Sequence, residues 1–123
     1  MFDIDHFKEI NDNYEHQIGD KILKTLCANI STHLRENDTF ARWGGEEFVI
    51  LCPYITIEQL EHIAKNLQEV IKNIDFSPVP NLTVSLGLTV YKKDDSKISI
   101  QKRVDSVLYK AKRNGRNQYQ ISI

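Results

Sequence analysis

Apolar and polar residues repeat along this chain with two different periods, and the switches between them mark out its elements. Met1 to Asp5 reads as a short strand. Asp5 to Ile10 reads as a helix start, with Asp5 as its N-cap. A second helix is predicted from about Ile18 to His33, where Ile22, Leu23, Leu26, Cys27, Ile30 and Leu34 recur on one face. Asp38 to Trp43 and Glu47 to Cys52 read as strands. Between them, Gly44 and Gly45 predict a tight two-residue hairpin turn that needs positive φ. Pro53 closes the second of these strands. Thr56 caps a third helix, with Gln59 three residues on in capping-box spacing and an apolar face running from Ile57 through Leu60, Ile63, Ala64, Leu67, Val70 and Ile71 to Ile74.

Phe76 to Asn81, with two of the three prolines, reads as a loop. Leu82 to Val90 alternates strictly, with Leu82, Val84, Leu86, Leu88 and Val90 on one side and Thr83, Ser85, Gly87 and Thr89 on the other, the pattern of a half-buried strand. A last helix is predicted from about Ser99 to Asn114, stopped by Gly115, and Gln118 to Ile123 reads as a final strand. The order β-α-α-β-β-α-β-α-β, with a hairpin in its middle, points to an α/β sandwich around a central, mostly antiparallel sheet. No internal repeat or low-complexity stretch interrupts it.

Bulk properties narrow the function. The 123 residues fit one compact domain. Sixteen basic against 17 acidic residues give a net charge of −1, which argues against a general DNA or RNA binder and leaves room for a small anionic ligand. Cys27 and Cys52 read as two buried thiols in a reducing compartment, without zinc spacing. No run has the length of a membrane span and no signal peptide is visible, so a cytoplasmic domain is expected. The abrupt opening on a strand end suggests that the chain is a fragment, lacking most of its first strand.

Three groups of residues carry candidate chemistry, and a fourth pair suggests a second site. Asp3, near the end of the first strand, and Glu46 and Glu47, after the hairpin glycines, supply hard oxygen ligands suited to Mg²⁺ if the strands are neighbours. Gly44 and Gly45 would let a phosphate or sugar approach bare backbone. Lys112 and Arg116, four residues apart, could face the same way and hold phosphates, or simply complement the helix dipole. Asn11 and Asp20 could read a purine edge, or serve as turn and cap residues. Arg35 and Asp38 form an Arg-x-x-Asp step that suits a second anion or nucleotide site, or a surface ion pair. The four histidines show no ligand spacing.

Taken together these motifs resemble one family. Arg42-Trp43-Gly44-Gly45-Glu46-Glu47-Phe48 is similar to the signature hairpin of GGDEF diguanylate cyclases, in the GGEEF form. The segment from Asp3 to Asp12, then His16 with Gly19-Asp20, Val84 to Gly87, and Leu108 to Asn117 resemble its other motifs, in order, over nearly the whole chain. The resemblance implies a nucleotidyl-cyclase or polymerase-palm-like fold and the condensation of two GTP to cyclic di-GMP and two pyrophosphates. A homodimer would place one GTP in each domain.

By position, the resemblance makes Asp3, Glu46 and the Ile4 carbonyl ligands of Mg²⁺ or Mn²⁺. Glu47 becomes a second metal ligand or the base for the 3′-hydroxyl. Asn11 and Asp20 would read guanine, and Lys112 and Arg116 would hold the triphosphate with Phe7 and Lys8 nearby. Arg35 and Asp38 would form a product-binding inhibitory site. Departures are Glu15 before His16 and Val104 before Asp105, where the family favours Gly and Ala. The family's opening helix, its asparagine-arginine motif and most of its first strand are absent, so this fragment is expected to be less stable than a full domain, with its activity in question. A sensor or receiver domain is expected to precede it in a parent protein. Degenerate relatives that only sense cyclic di-GMP or GTP usually lose a glycine or an acid of the hairpin, whereas all five signature residues are kept here. A cyclase of cyclic mononucleotides is disfavoured by the hairpin combined with the Lys112/Arg116 spacing.

Overall fold

The computed structural model describes residues 1–123. Nine elements follow the expected order: β1 (Phe2–Ile4), α1 (Phe7–Asn13), α2 (His16–Ser31), β2 (Thr39–Arg42), β3 (Glu47–Leu51), α3 (Ile57–Lys72), β4 (Val84–Thr89), α4 (Lys97–Arg113) and β5 (Tyr119–Ser122). The strands form one sheet in the order β2-β3-β1-β4-β5. All neighbours are antiparallel except β4 and β5. The short β1 therefore lies in the middle, with Asp3 opposite Glu47 on one side and Ser85 on the other.

Strand alternation sorts the two faces of the sheet. Phe2, Ile4, Phe48, Val84, Leu86 and Leu88 join Ile22, Leu26 and Ile30 of α2 and Ala64, Leu67 and Ile71 of α3 in one apolar core. Each fully buried large side chain there contributes about 1.5–3 kcal/mol. The Phe2 and Phe48 rings stack at 5.0 Å between centroids, and Phe40 leans on Phe48 at 5.5 Å. Helix α4 covers the opposite face, with Val107, Leu108 and Ala111 buried outside that core. The half-buried reading of β4 is corrected: Val84 through Leu88 are all buried, because α4 lies over the side holding Ser85 and Gly87.

Local signals account for the helix starts of α3 and α4. Thr56 accepts from the Gln59 amide at 3.2 Å while the Gln59 side chain accepts from the Thr56 amide at 3.0 Å. Ser96 and Ser99 make the same reciprocal pair, so α4 begins two residues earlier than its periodicity suggested.

Three further expectations are revised. Asp5 does not cap α1; His6 occupies that position in a left-handed conformation without a side-chain cap, because the Asp5 carboxylate is engaged elsewhere. The Gly44-Gly45 connection is not a tight two-residue turn, and neither glycine has positive φ. Trp43 N–H donates to the Glu47 carbonyl at 2.8 Å, leaving a wider loop of Gly44, Gly45 and Glu46. The Arg42 guanidinium holds that loop by donating to the carbonyls of Gly44 (3.0 Å) and Gly45 (2.6 Å). Cys27 and Cys52 are free and half-buried rather than fully buried, and partial burial pushes both thiols up from their ordinary value. No helix is long and apolar enough to cross a membrane.

Candidate functional site

The central place of β1 draws residues from both ends of the chain to one edge of the sheet. Asp3 is 4% exposed. Its backbone is in register with Glu47, and the next amide, Ile4 N–H, donates to the Glu46 carbonyl at 3.2 Å. Asp3, Ile4, Glu46 and Glu47 are thus immediate neighbours, as metal binding would need. They do not close on a common point in this chain. The Asp3 carboxylate instead accepts from Lys112 Nζ on α4.

That ion pair has a simple cause. Burial pushes the Asp3 carboxyl above its ordinary value, and the nearby negative charges of Glu46 and Glu47 push the same way; Lys112 opposes both. A buried carboxylate beside two more acids needs a cation, and Lys112 is the one within reach. The donor set consists of hard oxygens around a buried negative charge, which fits Mg²⁺ or Mn²⁺.

Lys112 reaches Asp3 because α4 lies against β4 backbone to backbone. A Cβ on Gly87 would stand 2.5 Å from the Leu108 nitrogen and 2.8 Å from the Val104 oxygen. Leu108 is one helical turn before Lys112, so this contact sets where the ammonium falls. Lys112 lies in the last turn of α4 and Arg116 just past its end. Helix α4 ends at Arg113, and Gly115, Arg116 and Asn117 follow with φ of 114°, 62° and 49°. Arg116 stands exposed on this left-handed loop, with no side-chain hydrogen bond within the chain.

The glycine pair is explained by nothing inside the molecule. A Cβ on Gly45 would meet no atom within 4 Å, and one on Gly44 only the Glu47 carboxylate at 3.8 Å. Since φ is not positive either, neither packing nor backbone conformation calls for glycine here. The space a side chain would fill lies open beside the acids.

Asn11 meets Gly19, the residue before Asp20, across the α1–α2 junction. Gly19 is buried, and a Cβ there would fall 2.0 Å from Asn11 Oδ1, so the Asn11 amide rests on the Gly19 backbone next to exposed Asp20. Phe7, buried at the start of α1, packs its ring against the same glycine, and Lys8 is exposed beside it.

Arg35 and Asp38 lie elsewhere, at the turn before β2. Arg35 Nε and Nη2 donate to Asp38 Oδ1 at 3.0 and 2.8 Å, and the Arg35 amide donates to Oδ2 at 2.9 Å. The Arg35 guanidinium holds the Asp38 carboxyl below the usual carboxylate range. Side-chain exposure is 45% for Arg35 and 0% for Asp38. Only the arginine is presented to a ligand, with the aspartate as its anchor.

Sequence reasoning overlooked the structural parts played by Asp5, Gly19 and Gly87. Gly87 carried a visible signal, a glycine in the interior of a strand, which marks a close backbone approach.

A family model described as "Diguanylate cyclase, GGDEF domain" matches residues 1–118. Diguanylate cyclase DgcM of Escherichia coli (strain K12) is 37% identical over 118 residues, covering 96% of this chain and 29% of that protein. The chain therefore spans less than a third of that relative. The solved active GGEEF domain of a diguanylate cyclase from Vibrio cholerae has a TM-score of 0.88 at 33% identity, covering 98% of this chain and 78% of that one. The GGDEF domain of DgcB from Caulobacter crescentus, solved in complex with c-di-GMP, also has a TM-score of 0.88, at 30% identity, covering 98% and 74%.

Proposed function

The chain belongs to the GGDEF diguanylate cyclase family, and from that premise we propose that it condenses two GTP into cyclic di-GMP and two pyrophosphates as one half of a homodimer. The observation that carries this reading is the open loop of Gly44 and Gly45 beside Asp3, Glu46 and Glu47, where bare backbone faces free space at a cluster of acids. Asn11 and Asp20 would accept and donate along the guanine edge, the carboxylate accepting from the ring N1–H and the 2-amino group, an adjacent donor pair that adenine does not present. Lys112 and Arg116 would hold the phosphates. Asp3, Glu46 and the Ile4 carbonyl would hold Mg²⁺ or Mn²⁺, with Glu47 as further ligand or as acceptor of the 3′-hydroxyl proton. Such an ion, when bound, neutralises phosphate charge and makes the attacking hydroxyl more acidic. A second copy must present the other GTP, so a sensor or receiver domain that brings copies together would regulate the reaction.

Incubating the chain at high concentration with GTP and Mg²⁺, alone and extended by the upstream residues that the family resemblance leads us to expect, tests the reading by chromatography of the products. Cyclic di-GMP is expected. Its absence from both forms, with tight binding of cyclic di-GMP, would favour a sensing module instead.

Gly45→Ala separates ligand from fold. The added methyl meets nothing in the chain, so stability should stay within about 0.5 kcal/mol of the parent. Turnover should fall on the order of a hundredfold, because nucleotide displaced by a methyl group loses its alignment. Equal turnover would remove the claim that substrate lies against this loop.

Arg35→Ala should leave initial rates intact and relieve inhibition by accumulated cyclic di-GMP, because Arg35 is the exposed half of its pair. Progress curves with and without added product measure this directly. Unchanged inhibition would dismiss Arg35 and Asp38 as a product site.

A further inference from the structure

We propose that Asp5 is a positioning residue for the triphosphate: it fixes the loop after α4 from which Arg116 projects. This rests on the reading of Arg116 as a phosphate contact and adds to it the part that holds the arginine in place.

Asp5 is 5% exposed and makes no ion pair. Its charge is met by three neutral donors from two distant segments. Thr83 Oγ1 donates at 2.7 Å and Ser85 Oγ at 2.6 Å, both from the β4 side of the sheet. The third donor is the backbone N–H of Asn117, to Oδ2 at 3.0 Å. The Asp5 amide itself donates to the Thr83 carbonyl at 2.9 Å, so the carboxylate rests on a rigid base.

The loop it grips is one that needs support. Arg116 and Asn117 are consecutive non-glycine residues at positive φ, a conformation that persists only when the surroundings impose it. The Arg116 amide is tied back to the Ala111 carbonyl at 3.0 Å, and the Asn117 amide to Asp5. These two bonds bracket Arg116, fixing its backbone while its side chain stays free of partners within the chain. Asp3 in β1 and Asp5 just after it thus divide the work: Asp3 meets Lys112 from the helix, and Asp5 holds the loop just beyond it.

The test is a double-mutant cycle on binding of a non-hydrolysable guanosine triphosphate with Mg²⁺, with GMP as the control ligand. Asp5→Asn and Arg116→Ala should each weaken triphosphate binding by roughly tenfold, the scale of one charge-assisted contact, and leave GMP within about twofold. The double variant should bind no more weakly than Arg116→Ala. If Asp5→Asn weakens binding by the same factor in both backgrounds, or leaves it unchanged, Asp5 does not act through Arg116 and the inference fails. If Arg116→Ala alone leaves triphosphate binding unchanged, the reading of Arg116 as a phosphate contact fails instead. Should Asp5→Asn not fold, hydrogen exchange of the parent chain decides: the Asn117 amide should be protected although its residue is exposed, and exchange at an unprotected rate would overturn the proposal.

Discussion

Asp3→Ala and Glu46→Ala should each cut cyclic di-GMP formation by at least about a thousandfold, because charge stabilisation at the phosphates is the largest contribution such a site makes. The same variants should remain folded. Asp3 is buried and paired with Lys112, and removing one member of a buried pair is often costly. Here, however, the Lys112 side chain keeps 30% of its exposure and can turn its ammonium to solvent. The loss in stability should therefore stay at about 1–2 kcal/mol. Glu46 sits in the loop and lacks even that partner. Chromatographic yields and urea melts on the same samples distinguish lost chemistry from lost fold. Normal product from either variant would move the metal site away from these acids.

Gly87→Ala should cost far more stability than one added methyl usually does, about 3 kcal/mol. The new carbon would lie 2.5 Å from a helix backbone nitrogen and 2.9 Å from the Leu108 Cα, and backbone cannot rotate away as a side chain can. Helix α4 must shift, carrying Lys112 with it, so turnover should fall beyond what the melting curve accounts for. A urea melt with unchanged midpoint would show that α4 tolerates the methyl and that the close approach is not essential. Gly45→Ala, which adds the same methyl to open space, is the matched control.

What could be read in advance follows from the range of each interaction. The capping box of Thr56 and Gln59 spans three residues, and the apolar face of α2 repeats every turn, so both are written locally. The hairpin partners β2 and β3 are adjacent in sequence, and their pairing was visible, although the turn was not. Arg42 reaches forward to the glycine carbonyls and holds a wider loop than two glycines suggest. Asp5 failed as a cap for the opposite reason. Its local claim on the α1 amides loses to donors from residues 83, 85 and 117, which no window around residue 5 contains. The polar side of β4 looked solvent-facing because nothing in that strand announces the helix that covers it. Among the site residues, neighbourhood in the hairpin motif placed Glu46 and Glu47 together, whereas the Asp3–Lys112 pair depends on β1 entering the sheet centre.

That central position governs how the protein reaches its native state. Asp3 and Lys112 are 109 residues apart in sequence, and Asp5 and Asn117 are 112 apart. Contacts of such separation form late and slowly, since a long loop must close before they repay its entropy. Helices and the β2–β3 hairpin can flicker into place early, but the links from Asp3 to Lys112 and from Asp5 to Asn117 exist only after β4 and α4 have docked around β1. Under the proposed function, binding competence would report on the whole fold: a partial opening that releases α4 separates Lys112 from Asp3 and would dissolve the proposed nucleotide site in the same step, so no half-folded species should retain measurable affinity for GTP.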